Sequence, residues 1–384
     1  MSIVLDGTNG VTTKSGTVVS TTDATINGIT VGKGGGSNTY STSVGANAGA
    51  ATQTVGFNTA IGYHALQSVT SGSDNVGVGY NALGGLTTGN TNVAIGDSSL
   101  LSNLSGSNNV AIGQQALNAN TSSSNTAVGY QAGYTNSTGT SNIYAGFQAG
   151  YTGTTASNCC AFGYQALYSN SSAANNTAIG QTSLTSATAG NNTGCGFGTG
   201  NSITTGNSNT FVGAYTGNTT TTGSSNVAMG FNTYASAATT SNETVIGANA
   251  TGKGASTGYI YAGGGGIYQS NNSSTWSVTS DQRLKKNIVS NTVGLEKITG
   301  IQIRNFEYRL PEEVDPALKP TDAVNITGVQ LGVIAQELQT VLPDCVKTES
   351  TGVMSVNSES VMWHLVTAVQ QLKAEFDAYK ATHP

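Results

Sequence analysis

Residues 58–66 read N-T-A-I-G-Y-H-A-L, residues 109–117 read N-V-A-I-G-Q-Q-A-L and residues 176–184 read N-T-A-I-G-Q-T-S-L. They are copies of one unit, whose glycine recurs at Gly45, Gly62, Gly79, Gly96, Gly113, Gly129, Gly146, Gly163, Gly180, Gly196, Gly213, Gly230 and Gly247. The spacing is 17 residues except for two intervals of 16. Disordered low-complexity sequence has no reason to keep such a register, so a repeat architecture is predicted. Asparagine stands four residues before the glycine in ten of thirteen copies, from Asn58 to Asn226. One residue before it is usually branched or apolar (Ile61, Val78, Ile95), and one after it is often aromatic (Tyr63, Tyr80, Phe147).

Counted from the ladder glycine, positions −3, −1 and +1 share one face of a strand, and −2 and 0, mostly Ala and Gly, share the other. Large side chains therefore face one way and small ones the other, the small face suiting close approach to another coil or subunit. Stretches of Gly, Ser, Thr and Asn between the units supply turns, so each repeat is expected to form one coil of about two short strands. Stacked coils align the asparagines into a hydrogen-bond ladder, and twelve steps of ~4.8 Å give a rod on the order of 58 Å long. The aromatics at +1 are expected to pack inside the coil or between subunits. Tyr134, Tyr151 and Tyr168, in the loops that follow, are the ones expected to be exposed.

The composition breaks near residue 280. Before it stand three basic residues (Lys14, Lys33, Lys253) against five acidic ones (Asp6, Asp23, Asp74, Asp97, Glu243), and 47 of the 52 glycines. All five prolines and most of the charge follow it. A net charge of −5 offers no basic stripe, so neither nucleic acid nor an anionic membrane surface is expected as a partner. There is no apolar run of membrane-spanning length, and the opening M-S-I-V-L-D-G lacks a secretory pattern, so a soluble protein made in the cytoplasm is expected. Cys159, Cys160, Cys195 and Cys345 show no C-x-x-C pairing and read as small apolar packing; no metal or cofactor is expected. A polysaccharide-cleaving site in the repeats would need two facing carboxylates, and Asp74, Asp97 and Glu243 occupy different repeat positions.

After S-D-Q-R-L-K-K-N-I, starting at Ser280, ordinary globular patterning begins. Val293, Ile298 and Ile301 are placed for burial, and Q-I-R-N-F-E-Y-R alternates as a strand with Ile303, Phe306 and Tyr308 as its apolar members. L-G-V-I-A-Q-E-L-Q-T-V-L reads as a helix with Ile334, Leu338 and Val341 on one face, stopped by Pro343. Met362, Leu365, Val369, Leu372, Phe376 and Tyr379 step by 3 and 4 residues and form a short coiled-coil seam, which needs partner helices to be stable.

The repeat copies resemble the head repeats of trimeric autotransporter adhesins, which implies a trimeric parallel β-roll; no membrane anchor of that family is seen, so the module alone is expected to be shared. Residues 280–384 resemble the C-terminal intramolecular chaperone of phage endosialidases and tail spikes. The matching stretches are S-D-x-R-x-K (Ser280, Asp281, Arg283, Lys285), G-L-E-K-I, N-F-E-Y-R, G-V-I-A-Q-E-L and the terminal helix. That resemblance implies trimerisation, alignment of three chains, and then self-cleavage between Ser280 and Asp281. A serine hydroxyl needs a base, and a lysine serves only when neutral, which asks for burial. Lys285, beside Arg283, is the expected partner of Ser280, and Lys286 is the runner-up.

The fold class expected is mainly β: a trimeric β-solenoid shaft of about 17-residue repeats, then a small α+β chaperone domain ending in a coiled-coil helix. Boundaries fall at 1–37 (attachment strands), 38–252 (shaft), 253–279 (stem) and 280–384 (chaperone). The function expected is that of a homotrimeric virion tail fibre joined to a phage tail or capsid by its N-terminus and recognising a host glycan or protein. A non-viral adhesin and a depolymerase tail spike are the alternatives. The only enzymatic step expected is one self-cleavage per chain.

Overall fold

The computed structural model describes residues 24–383 apart from 27–28, 36–39, 55, 264–265, 271–276, 279, 321–322, 325 and 350–351. The first 23 residues, Trp276 and part of the stem therefore lie outside the described residues. The chain divides into two compact units, residues 1–280 and 281–384.

The first unit is a β-solenoid. An antiparallel pair, β1 (Ala24–Ile26) and β2 (Ile29–Gly32), leads into thirteen three-residue strands, β3 to β15, the first Thr42–Val44 and the last Thr244–Ile246. These thirteen pair in parallel, each with the next, so that Thr59 faces Val76 and Thr177 faces Thr193. An antiparallel run of β16 (Gly258–Tyr261), β17 (Gly266–Gln269) and β18 (Ser277–Val278) closes the sheet.

Each coil holds one strand, where about two were expected. The chain turns back through left-handed residues at +2 and +4, such as His64 and Leu66 (φ 59° and 49°), which rules out a second extended segment. Backbone groups in these turns bond to the adjacent coil instead, as Leu66 N–H does to Ala82 O at 3.0 Å. The ladder glycines are required by stacking: Gly163 has φ +137°, and a Cβ there would sit 2.6 Å from the carbonyl of Gly180.

The small strand face points into the coil, not toward another subunit. Position −2 is fully buried along the shaft, as Ala94, Ala111 and Ala178 illustrate, and it meets the leucine at +4, such as Leu100, Leu117 and Leu184. Volume is exchanged between these two positions. Where Tyr144 occupies −2, the +4 residues on its own and the preceding coil are Gly150 and Gly133, and a Cβ on either would strike the ring. Phe211 is accommodated by Gly200 and Gly217 in the same way. At these two places the large ring takes the space that leucine side chains fill elsewhere.

The asparagine ladder is structural, as expected. Asn92 donates through Nδ2 to Asn75 Oδ1 (3.0 Å) and Gly106 O (2.9 Å), and its Oδ1 accepts from the backbone N–H and Nδ2 of Asn109 (both 3.0 Å). Such bonds let a fully polar column stand in a dry interior. Ser41, Cys159 and Glu243 take the asparagine's place in the remaining copies. Glu243, in the last copy, is fully buried; its backbone N–H donates to Asn226 Oδ1 (3.0 Å), and its carboxylate accepts from the N–H groups of Ser236 and Gly254 (both 2.8 Å).

In the second unit, α1 (Leu295–Gly300) is followed by the antiparallel pair β19 (Arg304–Phe306) and β20 (Gln330–Gly332). Then come α2 (Ala335–Val341), a 3-10 turn (Pro343–Cys345), the antiparallel pair β21 (Val346–Thr348) and β22 (Met354–Val356), and α3 (Ser358–Thr382). The helix expected to begin at L-G-V starts later: Leu331 and Gly332 are drawn into β20 by pairing with Asn305 and Arg304, and Ile334 is the N-cap of α2. Val293 and Ile303, expected inside and on a strand, are exposed and outside any strand, whereas Ile298 and Ile301 are half-buried. Leu338, Leu342 and Cys345 form the centre, bordered by Val341, Val346 and Val361.

Candidate functional site

Asp281 opens a 3-10 turn, Gln282–Leu284, and caps it: its Oδ1 accepts the Arg283 N–H at 2.8 Å. The Arg283 guanidinium reaches the same carboxylate, Nε at 3.0 Å from Oδ1 and Nη2 at 2.6 Å from Oδ2, a fork geometry that fixes both side chains. That guanidinium holds the Asp281 carboxyl below the usual carboxylate range and is itself raised by the pair. Lys285 follows as the C-cap, its N–H on Gln282 O at 3.0 Å. Of the four residues read as a cleavage site, Asp281 and Arg283 are thus brought together, while Ser280 and Lys285 are exposed. The compact units divide between Ser280 and Asp281.

On the shaft, the aromatics at +1 lie outside the coil, contrary to one half of the expectation. Tyr63, Tyr80, Tyr130, Phe147, Tyr164, Phe197 and Phe231 are 40–53% exposed, and most of the Ile and Val residues at −1 are 37–45% exposed. Tyr134, Tyr151 and Tyr168, expected to be the exposed set, are half-buried. Both rows stack on themselves: Tyr130, Phe147 and Tyr164 at 5.2 and 5.3 Å, Tyr134, Tyr151 and Tyr168 at 5.4 and 5.1 Å. Stacking occupies the ring faces on which a sugar would pack and leaves mainly edges for solvent. Glu243, enclosed and bonded to backbone N–H groups, is unavailable as a catalytic acid facing a sugar.

One cluster in the second unit escaped the sequence reading. Asp344 and Cys345 end the 3-10 turn after α2, and His364 lies in the second turn of α3; one ligating atom from each falls within 4.8 Å of the others. His364 Nε2 is 3.2 Å from Asp344 Oδ2, and Nδ1 is 2.8 Å from Val293 O. The Val293 carbonyl, and then Asp344, raise the His364 imidazole above its ordinary value. Burial pushes the Cys345 thiol up, and the Asp344 charge adds to this. A thiol so enclosed and so disfavoured as thiolate is not a nucleophile for an outside substrate. The sequence signal was slight, because Cys345 and His364 are far apart in the chain and fall in no metal-binding spacing.

Among the described residues, no helix is long and apolar enough to cross a membrane. No curated protein matches the chain. Residues 280–347 match the family model Peptidase_S74, chaperone of endosialidase, the same kind of domain that the residues from Ser280 onward resemble by their motifs.

Proposed function

We propose that the protein is a phage tail fibre or receptor-binding protein, built as a homotrimer, whose residues 280–384 drive trimerisation and folding and then cut the chain between Ser280 and Asp281. In this reading residues 1–37 attach to a phage tail or capsid protein, 38–252 are the shaft, 253–279 the stem, and the host receptor is a glycan or protein. The observation that carries the reading is a coincidence at one peptide bond: the family match begins at Ser280 and the compact units divide after it. The apolar surface left open supports assembly. Met362, Leu365, Val369, Leu372, Phe376 and Tyr379 on α3 are 48–58% exposed, a single-file row that suits packing against copies of itself.

Lys285 takes the Ser280 hydroxyl proton and delivers it to the departing Asp281 amine. Water hydrolyses the acyl group to leave the Ser280 carboxylate and restore the hydroxyl, and the Asp281–Arg283 pair fixes the turn that carries the scissile bond. Because Lys285 is exposed on one chain, the burial that would make it neutral must come from neighbouring chains. Cleavage then waits for assembly. Intact and oligomeric mass of the purified protein test this: a trimer of chains ending at Ser280 supports it, and an uncleaved monomer overturns it. Ser280→Ala should leave the chain whole. If Lys285→Ala still cleaves at the wild-type rate, the base is another residue, with Lys286 next in line.

A further inference from the structure

Val293 O is an acceptor only, so at 2.8 Å from His364 Nδ1 it places a proton on that nitrogen. The Asn291 amide nitrogen, 3.4 Å from the same atom, is too distant to compete. A neutral His364 therefore turns the bare lone pair of Nε2 toward Asp344 Oδ2, 3.2 Å away. Two acceptors facing each other need a positive charge between them, either a second proton on the ring or a metal ion. The Sγ of Cys345 lies within 4.8 Å of both.

From this geometry we propose that Asp344, Cys345 and His364 form a zinc site, with water in the fourth position. One thiolate, one imidazole and one carboxylate make a donor set suited to that borderline ion. A tetrahedral site with bonds of about 2.0–2.3 Å separates its donor atoms by about 3.3–3.8 Å. The cluster already spans 3.2 to 4.8 Å, and the Asp344 side chain, 65% exposed, has room to close the difference. The Nδ1–H to carbonyl bond is the outer contact that orients a metal-bound histidine through its other nitrogen.

The arms are held before any ion arrives. Cys345 N–H donates to Leu342 O (3.1 Å), and Cys345 O accepts from the N–H of Asn357 (2.8 Å), whose side chain caps α3. Binding would tie the end of α2 to α3 and so fix the helix that carries the apolar row. This assignment does not depend on self-cleavage, since all three residues lie on the same side of Ser280.

The test uses untagged protein, stripped with chelator and titrated with Co²⁺. The result expected is one Co²⁺ per chain with a thiolate-to-cobalt charge-transfer band, displaced by Zn²⁺, and a thermal midpoint of the stripped protein that rises when Zn²⁺ is added. Cys345→Ala should lose the band. Because that thiol is buried, Asp344→Asn, on the surface, is the second variant; it should retain helicity by circular dichroism while binding Co²⁺ about 10-fold more weakly or worse. Wild-type protein without a thiolate band at saturating Co²⁺, or Asp344→Asn binding as tightly as wild type, overturns the assignment.

Discussion

In the shaft a column of buried alanines and leucines runs from Ala48 to Ala228 inside one chain, whereas the second unit buries only Leu338, Leu342, Cys345 and Ala368 among its described apolar residues. The shaft is made mainly of Gly, Ser, Thr, Asn and Ala, a composition that cannot build a conventional core. The second unit has the ordinary mixture of charged and apolar residues and yet leaves Leu365, Val369 and Phe376 in solvent. Composition is thus a poor guide to self-sufficiency. Repetition lets small residues bury one another completely, coil on coil, because each interior position meets its own kind in the next coil. A short domain without repetition has too little interior to enclose its large residues alone.

That contrast can be broken most forcefully at a ladder glycine. Gly163→Ala sets a side chain against the Gly180 carbonyl at a backbone angle that only glycine takes readily, so about 1–3 kcal/mol of backbone strain precedes the clash itself. Loss of the β-rich circular dichroism signal and protease sensitivity in the shaft are expected. Tyr144→Ala should cost ~3–5 kcal/mol, because the flanking Gly133 and Gly150 have no side chains with which to fill the hole. Chemical denaturation measures this. By contrast, Tyr144→Phe should be neutral or slightly stabilising, since the buried hydroxyl has no hydrogen-bond partner among the described residues.

Asn92→Ala comes next, at about 1–3 kcal/mol for leaving the Asn109 N–H dry. If it were as stable as wild type, the ladder would be ornament. On the other side of the comparison, Leu365→Asp should change the stability of a single chain by less than ~0.5 kcal/mol, its position being half-exposed, yet abolish self-association in sedimentation. A wild-type chain that sediments as a monomer would remove the contrast altogether. The smallest effect is expected at Asp281. Its carboxyl is depressed by Arg283, so the pair's contribution is present above the unfolded carboxyl value and lost as pH falls through the folded one. In Arg283→Ala the Asp281 titration followed by NMR should move upward toward that of a free carboxyl.

The coil was legible because its glycine and asparagine are fixed by backbone contacts that repeat with the chain. The exchange of Tyr144 for Gly133 and Gly150 was missed, although all three lie at fixed repeat positions, because only the coil geometry brings −2 and +4 together. Which strand face looks inward was not legible either. Alternation defines two faces and leaves open which one the chain folds over; that choice is made by the left-handed turns at +2 and +4, which carry leucine residues such as Leu66 to the small side. In the second unit, Leu331 and Gly332 read as helix because their strand partner, Arg304–Phe306, is remote in the chain. Asp344, Cys345 and His364 meet only through tertiary packing, and no spacing rule brings such residues together.

The replacement of asparagine by Glu243 in the last ladder copy has a consequence for solubility. An asparagine side chain both gives and receives, so each one presents the next coil with the surface that it met itself, and such a stack has no intrinsic end. A carboxylate only receives. Glu243 turns its oxygens to the N–H groups of Ser236 and Gly254, and the antiparallel turn of β16 onto β17 then replaces the parallel pairing that another coil would continue. Without these closing elements the last coil would offer open strand edges to any other coil, including those of other molecules. A shaft fragment cut before Glu243 should therefore self-associate through its one open end, because β2, antiparallel to β3, already closes the other.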